Sequence, residues 1–370
     1  MGNKMGARIK VFGVGGAGNN VINRMRDYVQ NVEFISINTD AQALDESSAP
    51  EKLHIGPKTT KGLGAGGDPN IGQEAAKEST DQIRDMLKDT DLVFVTAGMG
   101  GGTGTGASPI VAKIAHELGV LTVGVVTKPF VFEGRHRAKN AEIGISNLSK
   151  FVDCNIVVPN QKLVEGTGAE TTMLDAFAIA DDVLRKGVQC ITDLITKNMT
   201  INVDFNDISN IMRGSGIAHM GIGEASGENR LLRAIQDAVQ SPILETNIKD
   251  ASQVILSITG GYDLKIHEVD GYVSLVKELL DDNVNMKFGV DIDPNFNDKI
   301  RVIIIATGFP RDDKTQMVYN PKPQPVAQHI TATAQPKPAP HIVEGGLAAP
   351  KHDDDPSVPP YIRKMRENNR

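Results

Sequence analysis

Five of the seven residues from Gly100 to Gly106 are glycine, and the other two, Thr103 and Thr105, carry hydroxyls. So dense a glycine run costs backbone entropy that a turn alone does not require. It follows the apolar stretch "DLVFVTA" and precedes "PIVAKIAHELG", which predicts a strand, a loop and a helix in that order. A second loop, "GVGGAGNN" from Gly13 to Asn20, follows "RIKVFGV" and opens another helix. At such a junction the first-turn N–H groups and the helix dipole favour an anion, and missing Cβ atoms let phosphate oxygens come close. Either loop alone is explained as well by tight strand–helix packing. Both at one edge of one parallel sheet point to a phosphate site, because that edge is where such folds bind ligands.

The ligand is less constrained by the residues than the chemistry is. Gly13, Gly15 and Gly18 fit G-x-G-x-x-G, and Asp40 follows Gly18 by 22 residues. That is a dinucleotide fingerprint, so an NAD-dependent dehydrogenase stands as an alternative, although a dinucleotide has no need of the second loop. No Lys-Ser or Lys-Thr pair follows Gly106, so a Walker A loop is absent. A bound triphosphate then has its charge carried by backbone amides, hydroxyls and a cation such as Mg²⁺.

The elements that position these loops alternate in type. Strands are predicted at residues 8–14 and at "EFISINT", "DLVFVTA", "LTVGVVTKP" and "CNIVVPN", with helices from Asn19, from about Ile71 to Lys88, and over "PIVAKIAHELG". Near-continuous apolar strands alternating with helices imply a Rossmann-like parallel sheet covered on both faces. From Met173 to Lys197 the residues Leu174, Phe177, Leu184, Val188, Ile191 and Ile195 recur at helical spacing, which predicts a long central helix. A smaller α/β unit follows, with strands at "AHMGIGEA", "ASQVILSITGG" and "RVIIIATGF". The expected division is residues 1–172, a central helix over 173–200, and a C-terminal α/β domain over 201–310. Residues 311–352, rich in Pro and Ala, read as a disordered linker. Residues 353–370 regain Tyr361, Ile362 and Met365 among basic residues, a composition that describes a docking peptide on a tether and a frayed terminus with no role equally well.

Bulk properties narrow the classes. The chain has 370 residues, 40% hydrophobic, with net charge −7 and pI about 5.7. No basic face is evident, so nucleic acid is not an expected partner. Cys154 and Cys190 are far apart and read as buried thiols of a reducing cytoplasm. The eight histidines show no paired metal-binding spacing, and no transition-metal site is expected. The N-terminus lacks a signal-peptide run and no apolar run is long enough to span a bilayer, so direct membrane insertion is not expected.

The motifs "AGMGGGTGTGA", "GVGGAGNN", "NTDAQAL", "GLGAGGDP", "KPFVFEGRHR" and "NVDFND" occur in this order. Together they resemble the tubulin and FtsZ superfamily, and within it the bacterial FtsZ family of GTP-dependent cell-division polymers, from about Ile9 to Phe309. The tail "VPPYIRKMR" resembles that family's adaptor-binding peptide. The resemblance implies a cytoplasmic GTPase, concentrated at the division site, that binds GTP or GDP with Mg²⁺ and polymerises with itself. It also implies a membrane-tethering adaptor held by residues 353–370. In this reading Gly15, Gly16 and Gly18 and the run Gly100, Gly101, Gly102, Thr103, Gly104, Thr105 and Gly106 cradle phosphates, and Gly64, Ala65 and Gly66 lie by the γ-phosphate. Glu133 and Arg137 contact the ribose and phosphate side, although that spacing alone describes an ordinary surface ion pair. Phe177 stacks on the base, Asn20 and Asn160 add polar contacts, and Asp181 accepts the N1–H and 2-amino donors of guanine. Adenine lacks that donor pair and would leave the carboxylate unsatisfied.

Catalysis is assigned to "NVDFND". Asp204 and Asp207 are three apart and share a face if the segment begins a helix, although the sequence alone favours helix capping by Asp204 or Asn206. In-line attack on a γ-phosphate needs a group that orients water, and no acid stands beside the glycine loops. The resemblance implies that these acids complete the site of the next subunit, through a head-to-tail contact that does not close and so builds a filament. A GTP-binding scaffold without turnover is the other alternative.

Overall fold

The computed structural model describes residues 6–310, apart from 166, 168–169, 198, 242–247 and 280–283. The predicted linker and docking peptide lie outside the described residues. The first strands are β1 (Ile9–Val14), β2 (Glu33–Asn38), β3 (Glu51–His54), β4 (Leu92–Gly98), β5 (Leu121–Lys128) and β6 (Cys154–Pro159). All pair in parallel, in the order β3-β2-β1-β4-β5-β6. This is the doubly wound order, in which the chain reverses direction at the β1–β4 boundary and leaves a crevice at the carboxyl ends of those strands.

Burial on both faces explains the apolar runs. Along β4, Leu92 and Phe94 enter one core while Val93 and Val95 enter the other, as a period of two requires. The first core is closed by α1 (Gly15–Met25) and by α9 (Met173–Thr196) through Val21, Ile22, Leu184, Val188 and Ile191. The second is closed by α4 (Pro69–Glu78), α5 (Thr80–Met86), α6 (Thr103–Glu117) and α7 (Arg135–Leu148). Between them in the chain lie the short helices α2 (Ala41–Asp45), α3 (Pro57–Thr60) and α8 (Asn160–Val164).

The remaining strands continue the same sheet. β7 (Gly216–Ser226) pairs in parallel with the start of β6, then antiparallel with β10 (Lys299–Thr307), which pairs with β8 (Gln253–Gly260). β9 (Asn285–Ile292) runs parallel to β8 at the sheet's end. Helices α11 (Arg230–Val239) and α12 (Ile266–Leu279) contribute to a third core with these strands. The segment that links the halves, α10 (Phe205–Met212), packs into the first core beside α9.

Three expectations change. The helix predicted from Ile71 to Lys88 is two helices, because Ser79 leaves helical geometry and its hydroxyl accepts from the Gly56 N–H at 3.0 Å. The helix predicted from Asn19 begins at Gly15, inside the glycine loop. The long helix has its predicted span, but its first turns stand clear of the core: Leu174 is 81% exposed and Phe177 38%.

Candidate functional site

The two glycine loops touch. A Cβ on Gly15 would lie 2.9 Å from the Gly104 amide, and Gly15 has φ +76°. Other glycines are equally crowded. A Cβ on Gly18 would meet the Thr96 carbonyl at 2.6 Å, one on Gly104 the Gly98 carbonyl at 2.7 Å, and one on Gly106 the Pro69 carbonyl at 2.0 Å. Gly102 presses against Ala65, bringing the loop of Gly64, Ala65 and Gly66 to the same place. Gly100, at φ +112°, lies against the Arg137 backbone.

Gly16 and Gly101 are different. Neither has a positive φ, and a Cβ on either would meet nothing within 4 Å. Packing and backbone strain therefore do not require glycine at either position, and both leave room for the close approach of a ligand. Gly66 and Gly67 are also open, with φ of +57° and +79°. The two helices that start here have no side-chain cap: neither Val14 nor Gly102 makes one. Their first-turn amides remain available to an anion.

Hydroxyls brace the floor. Thr105, 3% exposed, accepts from the Gly100 N–H at 2.8 Å, and Thr103 shares a 2.6 Å hydrogen bond with Thr39. Asn19 is buried; with its amide turned to satisfy both ends, it donates to the Gly13 and Gly15 carbonyls and accepts from Asn38. Asp40, the acid that a dinucleotide would need on its ribose, caps α2 by accepting from the Ala43 N–H at 3.0 Å.

The rest of the site forms a ring around the loops. From Gly100 it passes to Arg137, which is ion-paired with Glu133; Glu133 also accepts from the Phe130 N–H at 2.9 Å. Phe130 stacks with Phe132 at 5.1 Å between centroids, and Phe177 of α9 meets Phe130 edge-on at 5.2 Å. The Val131 N–H donates to Gln161 at 3.2 Å, which joins this segment to α8. Asn160, at the start of α8, is 5% exposed, and its Oδ1 is buried without a hydrogen-bond partner. One turn beyond Phe177, Asp181 accepts from Arg24 of α1 at 2.9 Å, which closes the ring. Asn20 is exposed on α1 near its start. The aromatics Phe130 and Phe132 were legible as the doublet in "PFVFE", but nothing in their spacing assigned them to the site.

Charge separates Asp181 from its neighbour. Burial pushes the Asp181 carboxyl up to about 6, against the opposing pull of Arg24. Asp182 is also partly buried, but Arg185 and Lys186 outweigh that and hold it below the usual carboxylate range. The Cys154 and Cys190 thiols are buried and pushed up to about 12, which makes them inert.

The predicted acids are elsewhere. Asp204 caps α10 by accepting from the Asp207 N–H at 2.8 Å, and Asp207 pairs with Lys287 of β9 at 2.8 Å. From Asp181 to the end of α9 is about 22 Å of helix. The end of α10 returns to Asp153, which receives the Gly214 and Gly216 amides. Asp153 precedes β6, at the amino end of a strand, whereas the glycine loops stand at the carboxyl ends of β1 and β4. Asp204 and Asp207 therefore lie away from the glycine loops of the same chain.

An open sheet with paired glycine loops at its switch point is the frame of a phosphate-binding α/β protein. Residues 8–168 match the Tubulin/FtsZ family, GTPase domain, and residues 216–310 match the FtsZ family, C-terminal domain. An FtsZ dimer from M. jannaschii is 43% identical at TM-score 0.79, covering 83% of this chain and 89% of that one. The FtsZ W319Y mutant from M. jannaschii is also 43% identical, with TM-score 0.80, 83% and 92%. At 20% identity, CetZ2 from Haloferax volcanii shares the fold with TM-score 0.70, over 83% of this chain and 94% of that one. The chain belongs to the FtsZ family, and its first half is a GTPase domain of the tubulin/FtsZ kind.

Proposed function

We propose that this protein hydrolyses GTP as a head-to-tail polymer and builds the cell-division ring. The observation that carries this reading is the separation within one subunit: the amide cradle and the acids lie at opposite ends of α9, so one subunit holds half a site. Stacking a second subunit end to end supplies the missing half. That contact is heterologous and does not close, which yields a filament. An M. jannaschii FtsZ relative solved as a dimer supports self-association.

The residues divide the work. Gly16, Gly66, Gly101 and the first-turn amides of α1 and α6 receive the phosphates. Phe177 stacks on the base from its aromatic cluster, Asp181 accepts the donors of guanine, and Asn20 and Asn160 add polar contacts. Asp204 and Asp207 of the next subunit orient the attacking water. Mg²⁺ would supply charge neutralisation at the phosphates. The described residues contain no cluster of three or more His, Cys, Asp or Glu able to hold it, so phosphate oxygens and water would provide most of its ligands. Residues 353–370 would hold a membrane-tethering adaptor; among the described residues no helix is long and apolar enough to cross a membrane. Deleting 353–370 should abolish adaptor binding while leaving turnover intact.

The test is phosphate release against protein concentration. Turnover per subunit is expected to be near zero below a threshold and to rise steeply above it. A specific rate that stays constant down to high dilution would remove the shared site. Absence of any phosphate release from assembled, GTP-bound protein would favour a scaffold.

A further inference from the structure

We infer that Lys287 is a positioning residue for the shared site, a role that rests on the proposed function of Asp207 in the neighbouring subunit's reaction. Asp207 occupies the third position of α10, behind the cap Asp204. A carboxylate there ordinarily turns back to the amide of its own cap. Here it points instead to Lys287, whose Nζ is 2.8 Å from Oδ1. Both side chains are about one-third exposed, 35% for Lys287 and 37% for Asp207, so the pair adds little to stability. Its consequence is the direction in which the carboxylate is held.

The strand that carries Lys287 is built to hold this segment. Residues 287, 289 and 291 of β9 share one side by the period of two. Gly289 approaches Leu194 and the Ile201 carbonyl so closely that a Cβ would sit 2.3 Å from Leu194. Val290 exchanges backbone hydrogen bonds with Ile201, and also accepts from the Thr200 N–H. On one side of that stitch Asp291 faces Lys197 at 3.7 Å; on the other Lys287 faces Asp207. Two ion pairs of opposite polarity thus bracket the connection between α9 and α10. Sliding the segment along β9 breaks both.

Electrostatics gives the second part of the role. Two carboxylates docking against a triphosphate meet a like charge, and the cost rises as water leaves the interface. An ammonium fixed beside Asp207 offsets part of that repulsion and still leaves the second carboxylate oxygen for water. Lys287 therefore sets both the orientation of the acid and the charge of the face that meets the next subunit's nucleotide.

The test uses full-length K287M, K287Q, K287R and D207N, with turnover measured per polymerised subunit from pelleted protein. K287M and K287Q are expected to lower kcat about tenfold, the scale of a misplaced reacting group, with KM and GTP affinity of the free subunit unchanged. K287R should restore most of the rate. Full kcat in K287M and K287Q overturns the inference, as does a K287R rate no better than K287M. A raised assembly threshold with kcat per polymerised subunit intact overturns the positioning role and leaves only an effect on the charge of the contact face. D207N separates this from the reading beneath it. Undiminished turnover in D207N removes the shared-acid mechanism, whereas a dead D207N beside a fully active K287M removes only the role of Lys287.

Discussion

The two ends of α9 solve opposite problems with opposite materials. At the first end the proposed binding surface is backbone: open glycines, uncapped first turns and buried hydroxyls, with the charged pair Glu133 and Arg137 at the margin. At the other end it is side chains: Asp204 capping α10, Asp207 held by Lys287, and Lys197 held by Asp193 and Asp291. A polyphosphate needs many donors at short range, and amides supply them without desolvating a cation. A water-orienting group needs a lone pair in one place, which an anchored carboxylate supplies. The comparison teaches that damage should be asymmetric. The first end fails when atoms are added and the second fails when charge is removed.

The largest test of that asymmetry is Asp207→Ala. GTP binding by the free subunit should be unchanged, while turnover falls by about 10²-fold or more, the usual scale for a group that handles the attacking water's proton. Paired nucleotide binding and phosphate-release assays check it, and retained turnover breaks the comparison.

Two glycine variants sharpen the first end. Gly106→Ala places a Cβ 2.0 Å from the Pro69 carbonyl, so overpacking should destabilise the fold by roughly 1–3 kcal/mol as well as weaken binding. Gly101→Ala adds a methyl where nothing lies within 4 Å, so its melting temperature should stay put while GTP affinity drops about tenfold, or about 1.4 kcal/mol. If Gly101→Ala binds normally, the open glycines are not the cradle.

Acid supplies a comparable effect at one residue. Asp181 titrates near 6 in the free protein, raised by burial despite Arg24. In its proposed role it accepts guanine's donors only when ionised, so affinity should be full well above pH 6 and fall as pH drops through 6, by about tenfold at pH 5. The stability linkage has the other sign: a raised folded-state pKa favours the fold at low pH, and that contribution is lost as pH rises through 6. Equilibrium dialysis with GDP over pH 5–8 checks the first effect; a flat profile shows that Asp181 does not read the base. The smallest expected effect is that of Thr105→Val, which leaves the Gly100 N–H without its acceptor and should weaken GTP binding about fivefold, near 1 kcal/mol.

Several features were legible because their cause is local. The apolar runs of β1, β4, β5 and β6 and the stripe of α9 follow from periodicity, and the glycine loops follow from composition at strand–helix junctions. β9 was not legible. "NMKFGVDI" mixes Lys287, Gly289 and Asp291 with apolar residues, because that side answers α9 and α10 with ion pairs and a close contact. The break at Ser79 was hidden for a similar reason: its hydroxyl is directed by Gly56, 23 residues earlier.

From its residues alone the chain determined that two glycine loops would stand at strand–helix junctions of a parallel sheet, because glycine density and apolar periodicity act within a few residues. Only the tertiary structure decided which glycines are packed and which are open, that Asp182 rather than Asp181 is committed to Arg185 and Lys186, and that Asp207 is gripped from β9. Those choices depend on atoms brought together from distant parts of the chain, and an exposed Cβ differs from a forbidden one only by what folds against it.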